Sequence, residues 1–285
     1  MNNKGKLYIC GTPIGNLDDI TYRAIDILKK VDLIAAEDTR RTGQLLNQLS
    51  IKKPMTSYHE HNEKEMAGEL LQKLENGKDL ALVSDAGMPG ISDPGLEIIK
   101  LAVNSDIEVI PIPGPTAAIS ALVVSGLPTD SFVFEGFVPR KGKERTLSLK
   151  RIQREERTVI IYESPYRLKD TLEELLPLLK GRQIVVAREL TKVHEEKIYG
   201  TCSDVLKQLK GREVKGEIVI IVEGKSAEEE REGWEDLSIV EHVEFLMKNG
   251  YTKKKAIKEV ARLRDLPKSE VYQEAVVIDA TKYLD

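Results

Sequence analysis

Cysteine, aromatic residues and long apolar runs are all scarce in this chain of 285 residues. The two cysteines, Cys10 and Cys202, lie far apart without metal-ligand spacing. That argues against a disulfide framework or a zinc site and predicts a reducing compartment. No apolar run approaches the roughly 20 residues that cross a bilayer. The opening MNNKGK lacks the layout of a secretory signal, so a cytoplasmic protein is expected. Aromatics make up 5% of the chain, with one Trp and four Phe, so no broad stacking platform for single strands is evident. Positive charge is not in excess either: the net charge is −4. Contact with nucleic acid therefore needs a local basic patch.

What the chain does have is three glycine- and proline-rich loops, each following an apolar, strand-like run. They occur in Leu7–Thr21 (LYICGTPIGNLDDIT), Leu80–Gly95 (LALVSDAGMPGISDPG) and Val109–Ala118 (VIPIPGPTAA). At the carboxyl edge of an open α/β sheet, loops of this kind form ligand sites.

Strand and helix patterns alternate around them. Strands are expected at 7–10, 33–36, 80–84 and 108–112, and helices at 21–30, 39–49, 63–76, 95–104 and 117–125. This alternation predicts a mainly parallel sheet. A second α/β run covers strands at 132–137, 158–162, 183–188, 197–200 and 216–223, with helices at 166–179 and 203–209. The predicted organisation is an N-terminal α/β domain (1–117), a C-terminal α/β domain (118–225), an acidic linker (226–236) and a small helical unit (237–285). In that unit, helices at 239–248, 252–264 and 269–275, with Thr252 and Ser269 as N-caps, suit a helix-turn-helix-like module or any small bundle. Two basic stretches stand out, Arg140–Arg157 and Lys253–Lys268, and either also suits a solvated helix face.

Several motifs are informative by failing. Gly11 and Gly15 have G-x-x-x-G spacing rather than the dinucleotide fingerprint. Gly224-Lys225-Ser226 is no phosphate loop, because Val219 stands where that motif needs glycine. His59 and His61 are two apart with no third ligand, which makes a weak metal site. Glu37, Asp38, Asp85 and Asp93 fall at strand ends, where a carboxylate reaches the sheet-edge crevice. Asp38 or Thr39 also suits a helix cap.

The loops Gly11–Leu17, Ala36–Arg40, Ser84–Gly95 and Pro113–Ala118 together resemble the tetrapyrrole methylase superfamily. So do Gly136–Lys141 (GFVPRK), Tyr162–Arg167 (YESPYR) and Arg188–Glu196 (RELTKVHEE). Within the superfamily, they are similar to the branch that modifies ribosomal RNA of the small subunit. The second loop reads Ala86-Gly87-Met88-Pro89 where tetrapyrrole enzymes have nearer G-G-D-P, which favours that branch.

The resemblance implies two α/β domains of the tetrapyrrole methylase type with S-adenosylmethionine between them. The implied cofactor contacts are Ile14, Ala86, Gly87, Met88, Ile91, Thr116, Ala117, Glu163 and Leu190, with no metal. It further implies methylation of a cytidine 2′-hydroxyl in the decoding region of 16S rRNA, in the 30S subunit, by a homodimer. Asn16, Arg40, Arg41, Arg140, Lys141, Lys143 and Arg145 are the candidate RNA contacts, the basic ones being expected in loops. A ribose hydroxyl is a poor nucleophile, so a base is expected. Asp85, Glu163, Lys192, His194 and Glu195 are available, with Asp85 and Lys192 favoured. Two alternatives stay open: a methyltransferase acting on a tetrapyrrole precursor, and a non-catalytic RNA-binding assembly factor.

Overall fold

Three neighbouring strand ends position the site. In the computed structural model, which describes residues 4–226, 237–248 and 250–278, the chain forms two compact units, Met1–Gly224 and Lys225–Asp285. Most of the expected linker, residues 227–236, lies outside the described residues.

The first sheet has the order β3-β2-β4-β1-β5, with β1 Leu7–Cys10, β2 Leu33–Ala36, β3 Met55–Ser57, β4 Leu80–Val83 and β5 Val109–Ile112. Every pairing in it is parallel, as the alternation predicted. Because β1 lies between β4 and β5, the three glycine-rich loops leave one edge side by side. The strands are short and nearly all apolar because both faces are covered. Leu7, Ile9, Leu80 and Leu82 pack on one side, with Cys10, Ala81, Val83 and Ile34 on the other.

The second sheet corrects a simple extension of that pattern. Its order is β6-β7-β10-β8-β9, with β6 Phe132–Phe137, β7 Thr158–Glu163, β8 Gln183–Arg188, β9 Glu196–Thr201 and β10 Ile218–Val222. Only β6 and β7 run parallel; β10 is antiparallel to both β7 and β8, and β9 to β8. Apart from an irregularity in β6 between Phe134 and Gly136, side chains alternate between its faces. Val159, Ile161, Ile184, Val186, Ile218 and Ile220 enter the core beneath the helices. Ile160, Val185, Ala187, Val219 and Ile221 face the other way, against Ala121 and Leu122 of helix Ala117–Val123.

Met55–Ser57 forms a short strand with no counterpart among the expected elements, as does the 3-10 turn Leu17–Asp19, and Gly142–Arg154 is a helix within the basic stretch. The terminal unit has three helices, Ile239–Lys248, Lys253–Leu263 and Lys268–Ala275, closed around Val243, Met247, Ile257, Val260 and Val271. Thr252 caps the second of these, its side chain accepting from the amide of Lys255. Ser269 does not cap the third: Pro267 precedes that helix, and no side chain caps it. Among the described residues, no helix is long and apolar enough to cross a membrane.

Candidate active site

The β1 and β4 loops are fastened together by their backbones. Thr12 donates to the Gly87 carbonyl at 2.9 Å, and Gly87 donates back to the Thr12 carbonyl at 3.0 Å. Gly87 has φ +80°, a conformation that favours glycine. The β1 and β5 loops pass still closer: a Cβ on Gly11 would lie 2.7 Å from Gly114 Cα and 2.8 Å from Met88 Sδ. Only glycine permits that crossing.

These loops form one side of a cleft of about 430 Å³ whose other side is the Ile160/Val219 face of the second sheet. Ile14, Ala86, Gly87, Met88, Ile91, Thr116, Ala117, Glu163 and Leu190 all line it. The nine positions expected to meet a cofactor are thus brought together, from segments as distant as Ile14 and Leu190. Size, apolar lining and few polar groups are those of a small-molecule site.

The candidate bases are sorted by where they stand. Asp85 does not line the cleft; it pairs with Arg41 at 3.2 Å and accepts from the Asp38 amide at 3.0 Å. Lys192 lies 2.9 Å from Glu189 and 3.3 Å from Glu217. Burial opposes its charge, but the hydrogen bond to Glu189 and the field of Glu217 outweigh that and raise its pKa. Like Asp85, Lys192 is not among the residues that line the cleft. Glu163 borders the cleft, yet its carboxylate is fully buried, paired with Arg167 at 2.5 Å and accepting from Thr171 at 2.7 Å.

Asp93, a strand-end carboxylate outside the set of expected bases, lines the cleft. Burial, reinforced by the charge of Glu37, pushes its pKa up to about 6. Burial likewise raises that of Glu37. The sequence marks Asp93 only as a strand-end carboxylate; its burial and its nearness to Glu37 come from the fold.

The expected RNA contacts separate too. Arg40 forks onto Asp38 at 3.1 and 2.7 Å. That pairing holds the Asp38 carboxyl well below the usual range. Asp38 also caps the helix Thr39–Gln48 through the Arg40 amide. Asn16 caps a short 3-10 turn, Leu17–Asp19, accepting from the Asp18 amide. Arg145 is corrected outright. It lies in a helix, not a loop, and is 8% exposed. It donates to Glu174, to the Pro139 carbonyl at 3.0 Å and to Thr171 at 3.1 Å, tying its helix to Leu168–Leu179. Lys143 is helical as well, but exposed, and with Arg140 and Lys141 it has no ion-pair partner among the described residues. No metal-binding cluster of His, Cys, Asp or Glu occurs among the described residues, His59 and His61 included.

Comparison with known proteins gives the same picture. The family model for tetrapyrrole (corrin/porphyrin) methylases matches residues 6–206. The chain is 49% identical over 273 residues to the ribosomal RNA small subunit methyltransferase I of Halalkalibacterium halodurans, covering 95% of this chain and 94% of that one. It is 46% identical to the protein of that name in Bacillus subtilis, with coverage of 95% and 94%. For its namesake in Synechocystis the identity is again 46%, with coverage of 97% and 99%. Among solved structures, a cobalt precorrin-4 methyltransferase superposes with a TM-score of 0.58 at 18% identity, covering 76% of this chain and 94% of that one. A uroporphyrin-III-C-methyltransferase from Thermus thermophilus does so with a TM-score of 0.56 at 18% identity, covering 77% and 94%. With a model matching well over half of the chain and relatives near half identity along almost all of it, the protein belongs to the tetrapyrrole (corrin/porphyrin) methylase family.

Proposed function

We propose that this chain is an S-adenosylmethionine-dependent methyltransferase that 2′-O-methylates the ribose of a cytidine in the decoding region of 16S rRNA. The observation that carries the reading is the convergence of nine positions, from Ile14 to Leu190, on one apolar cleft. Near-half identity over the full chain to proteins named for ribosomal RNA methylation supplies the substrate class.

The residues present suit the cofactor. Gly87 opens the wall where a Cβ would point towards Ile14 and the Pro115 carbonyl, 3.5 and 3.6 Å away. Ile14, Met88 and Leu190 give an apolar enclosure, and Ala86, Thr116 and Ala117 let main chain come close. Because the Glu163 carboxylate is committed to Arg167 and Thr171, that residue offers a ligand its main chain. When bound, S-adenosylmethionine supplies an electrophilic methyl group.

The protein's own part is to align the ribose and to accept its proton. Asp93 is the acceptor: it borders the cleft and is ionised at neutral pH, yet more basic than an ordinary aspartate. Arg140, Lys141 and Lys143 carry backbone phosphates, while Arg40 and Arg41 join only by exchanging Asp38 and Asp85 for phosphate. Lys254, Lys255, Lys258 and Lys268, exposed on the terminal unit, are further candidate phosphate contacts. The working form is a cytoplasmic homodimer acting on the 30S subunit, whose folded surroundings present the ribose by shape.

Transfer of tritium from labelled S-adenosylmethionine to undermethylated 30S subunits, with the labelled ribose mapped by nuclease digestion, tests the reading. Label on one cytidine 2′-oxygen supports it. No label, with cofactor binding intact, moves the acceptor to a small molecule.

A further inference from the structure

A chain with four phenylalanines sets three of them, Phe132, Phe134 and Phe137, along one wall of one cleft. A regular strand does not do this, because side chains alternate and Phe137 would point away from the other two. The register shows how it is done. Phe134 pairs with Ile160 and Gly136 with Ile161, so Glu135 is an extra residue, a β-bulge, and Gly136 takes φ +70°. After the bulge, Phe137 pairs with Tyr162 and rejoins the cleft side. Glu135 is turned to the helix behind, accepting from Ser148 and Arg151. Bulges near sites commonly re-aim a side chain in this way.

The wall is rigid at its inner end and open at its rim. Tyr162 is fixed by its hydroxyl, which accepts from the Ala118 amide at 3.2 Å. Phe134 and Phe137 each meet the Tyr162 ring edge-to-face, with centroids 4.9 and 5.6 Å away. Phe137 is nevertheless 56% exposed, leaving much of its ring open on the side away from Tyr162. Three and four residues further on come Arg140 and Lys141, exposed and without ion-pair partners among the described residues.

We infer that Phe137 is the stacking platform for the pyrimidine base of the nucleotide being methylated, with Arg140 and Lys141 holding the adjoining phosphates. The inference rests on the function proposed above. The adenine of the cofactor is the competing occupant, and charge decides between them. S-adenosylmethionine carries no phosphate, whereas an aromatic ring followed by two unpaired cations matches a base attached to a phosphate chain. Unstacked bases are held this way on aromatic side chains, and the stack tolerates any base because each has a π-face. Phe137 is therefore a positioning residue: it fixes the base, and the base fixes the 2′-hydroxyl against Asp93.

The test uses the full chain, undermethylated 30S subunits and labelled S-adenosylmethionine. Phe137→Ala raises KM for subunits roughly 5–150-fold, the range that loss of one base–aromatic stack brings. Calorimetric affinity for S-adenosylmethionine stays at the wild-type value. Phe137→Tyr restores KM, whereas Phe137→Leu, apolar but without a π-face, does not. An unchanged KM in Phe137→Ala, full rescue by leucine, or cofactor affinity falling in step with KM each overturns the inference while leaving the functional reading intact. No transfer by the wild-type protein overturns both.

Discussion

Thr12 and Gly87 hold each other by a reciprocal pair of backbone hydrogen bonds, 2.9 and 3.0 Å long, across the ends of two adjacent strands. This bridge turns two loops into one wall and fixes Gly87 at φ +80°. Replacing Gly87 by Val puts a branched side chain into a conformation that costs roughly 1–2 kcal/mol and narrows the cleft. The expected outcome is a modest fall in melting temperature together with at least a tenfold loss of S-adenosylmethionine affinity by calorimetry. Full affinity would place the cofactor elsewhere.

Asp93 gives the pH dependence. Its carboxyl titrates near 6, so log kcat/KM for subunits rises with unit slope below that pH and levels off above it. Asp93→Asn removes this limb and lowers kcat by about 10²–10⁴-fold. Stability follows the opposite trend. The folded pKa lies above the ordinary 3.8, so stabilisation by the protonated group is complete below 3.8 and lost as pH rises through about 6. Asp93→Asn therefore melts higher than wild type above pH 6, which thermal denaturation at two pH values reads directly.

Arg145 and its neighbours Arg140, Lys141 and Lys143 separate folding from binding. Arg145→Ala leaves Thr171 and Glu174 without their cation and costs roughly 1–3 kcal/mol in denaturant unfolding. The triple change of Arg140, Lys141 and Lys143 to Ala leaves stability alone. It flattens the slope of log affinity against log salt by about 2, as loss of three phosphate contacts predicts. A slope equal to wild type makes this stretch a solvated face.

Lys254, Lys255 and Lys258 are exposed on one helix of the terminal unit. Changing all three to Gln weakens subunit binding in filter assays at low salt and leaves S-adenosylmethionine affinity unchanged. Equal binding would show that this unit does not meet RNA.

The first sheet was legible because parallel strands covered on both faces read as short apolar runs, and each ended in glycine, proline and aspartate. The loops that line the cleft were legible for the same reason, since they are the strand ends themselves, whereas the nine positions proposed to meet a cofactor came from the resemblance. Pairing direction in the second sheet was not: Gln183–Arg188 and Ile218–Val222 look alike whichever way their neighbours run. The burial of Arg145 was hidden too, because a helix turned by Ser148, Leu149 and Ile152 towards the core takes that arginine with it. The raised pKa of Asp93 comes from burial in the cleft and from Glu37, which lies after a different strand, and neither is visible in the local sequence. The aromatic wall was missed because a count of aromatics says nothing of how they gather, and a bulge is invisible to a period of two.

Ile218–Val222 is the last strand of the first unit to be synthesised, and it takes the central place in its sheet, between β7 and β8. Until it arrives, β6–β7 and β8–β9 are two separate ribbons, and the Val219 side of the cleft does not exist. Such late, non-local closure slows the folding of this sheet. A nascent chain therefore has no affinity for its cofactor until some 220 residues have emerged, and ligand binding, once possible, locks the final strand in place.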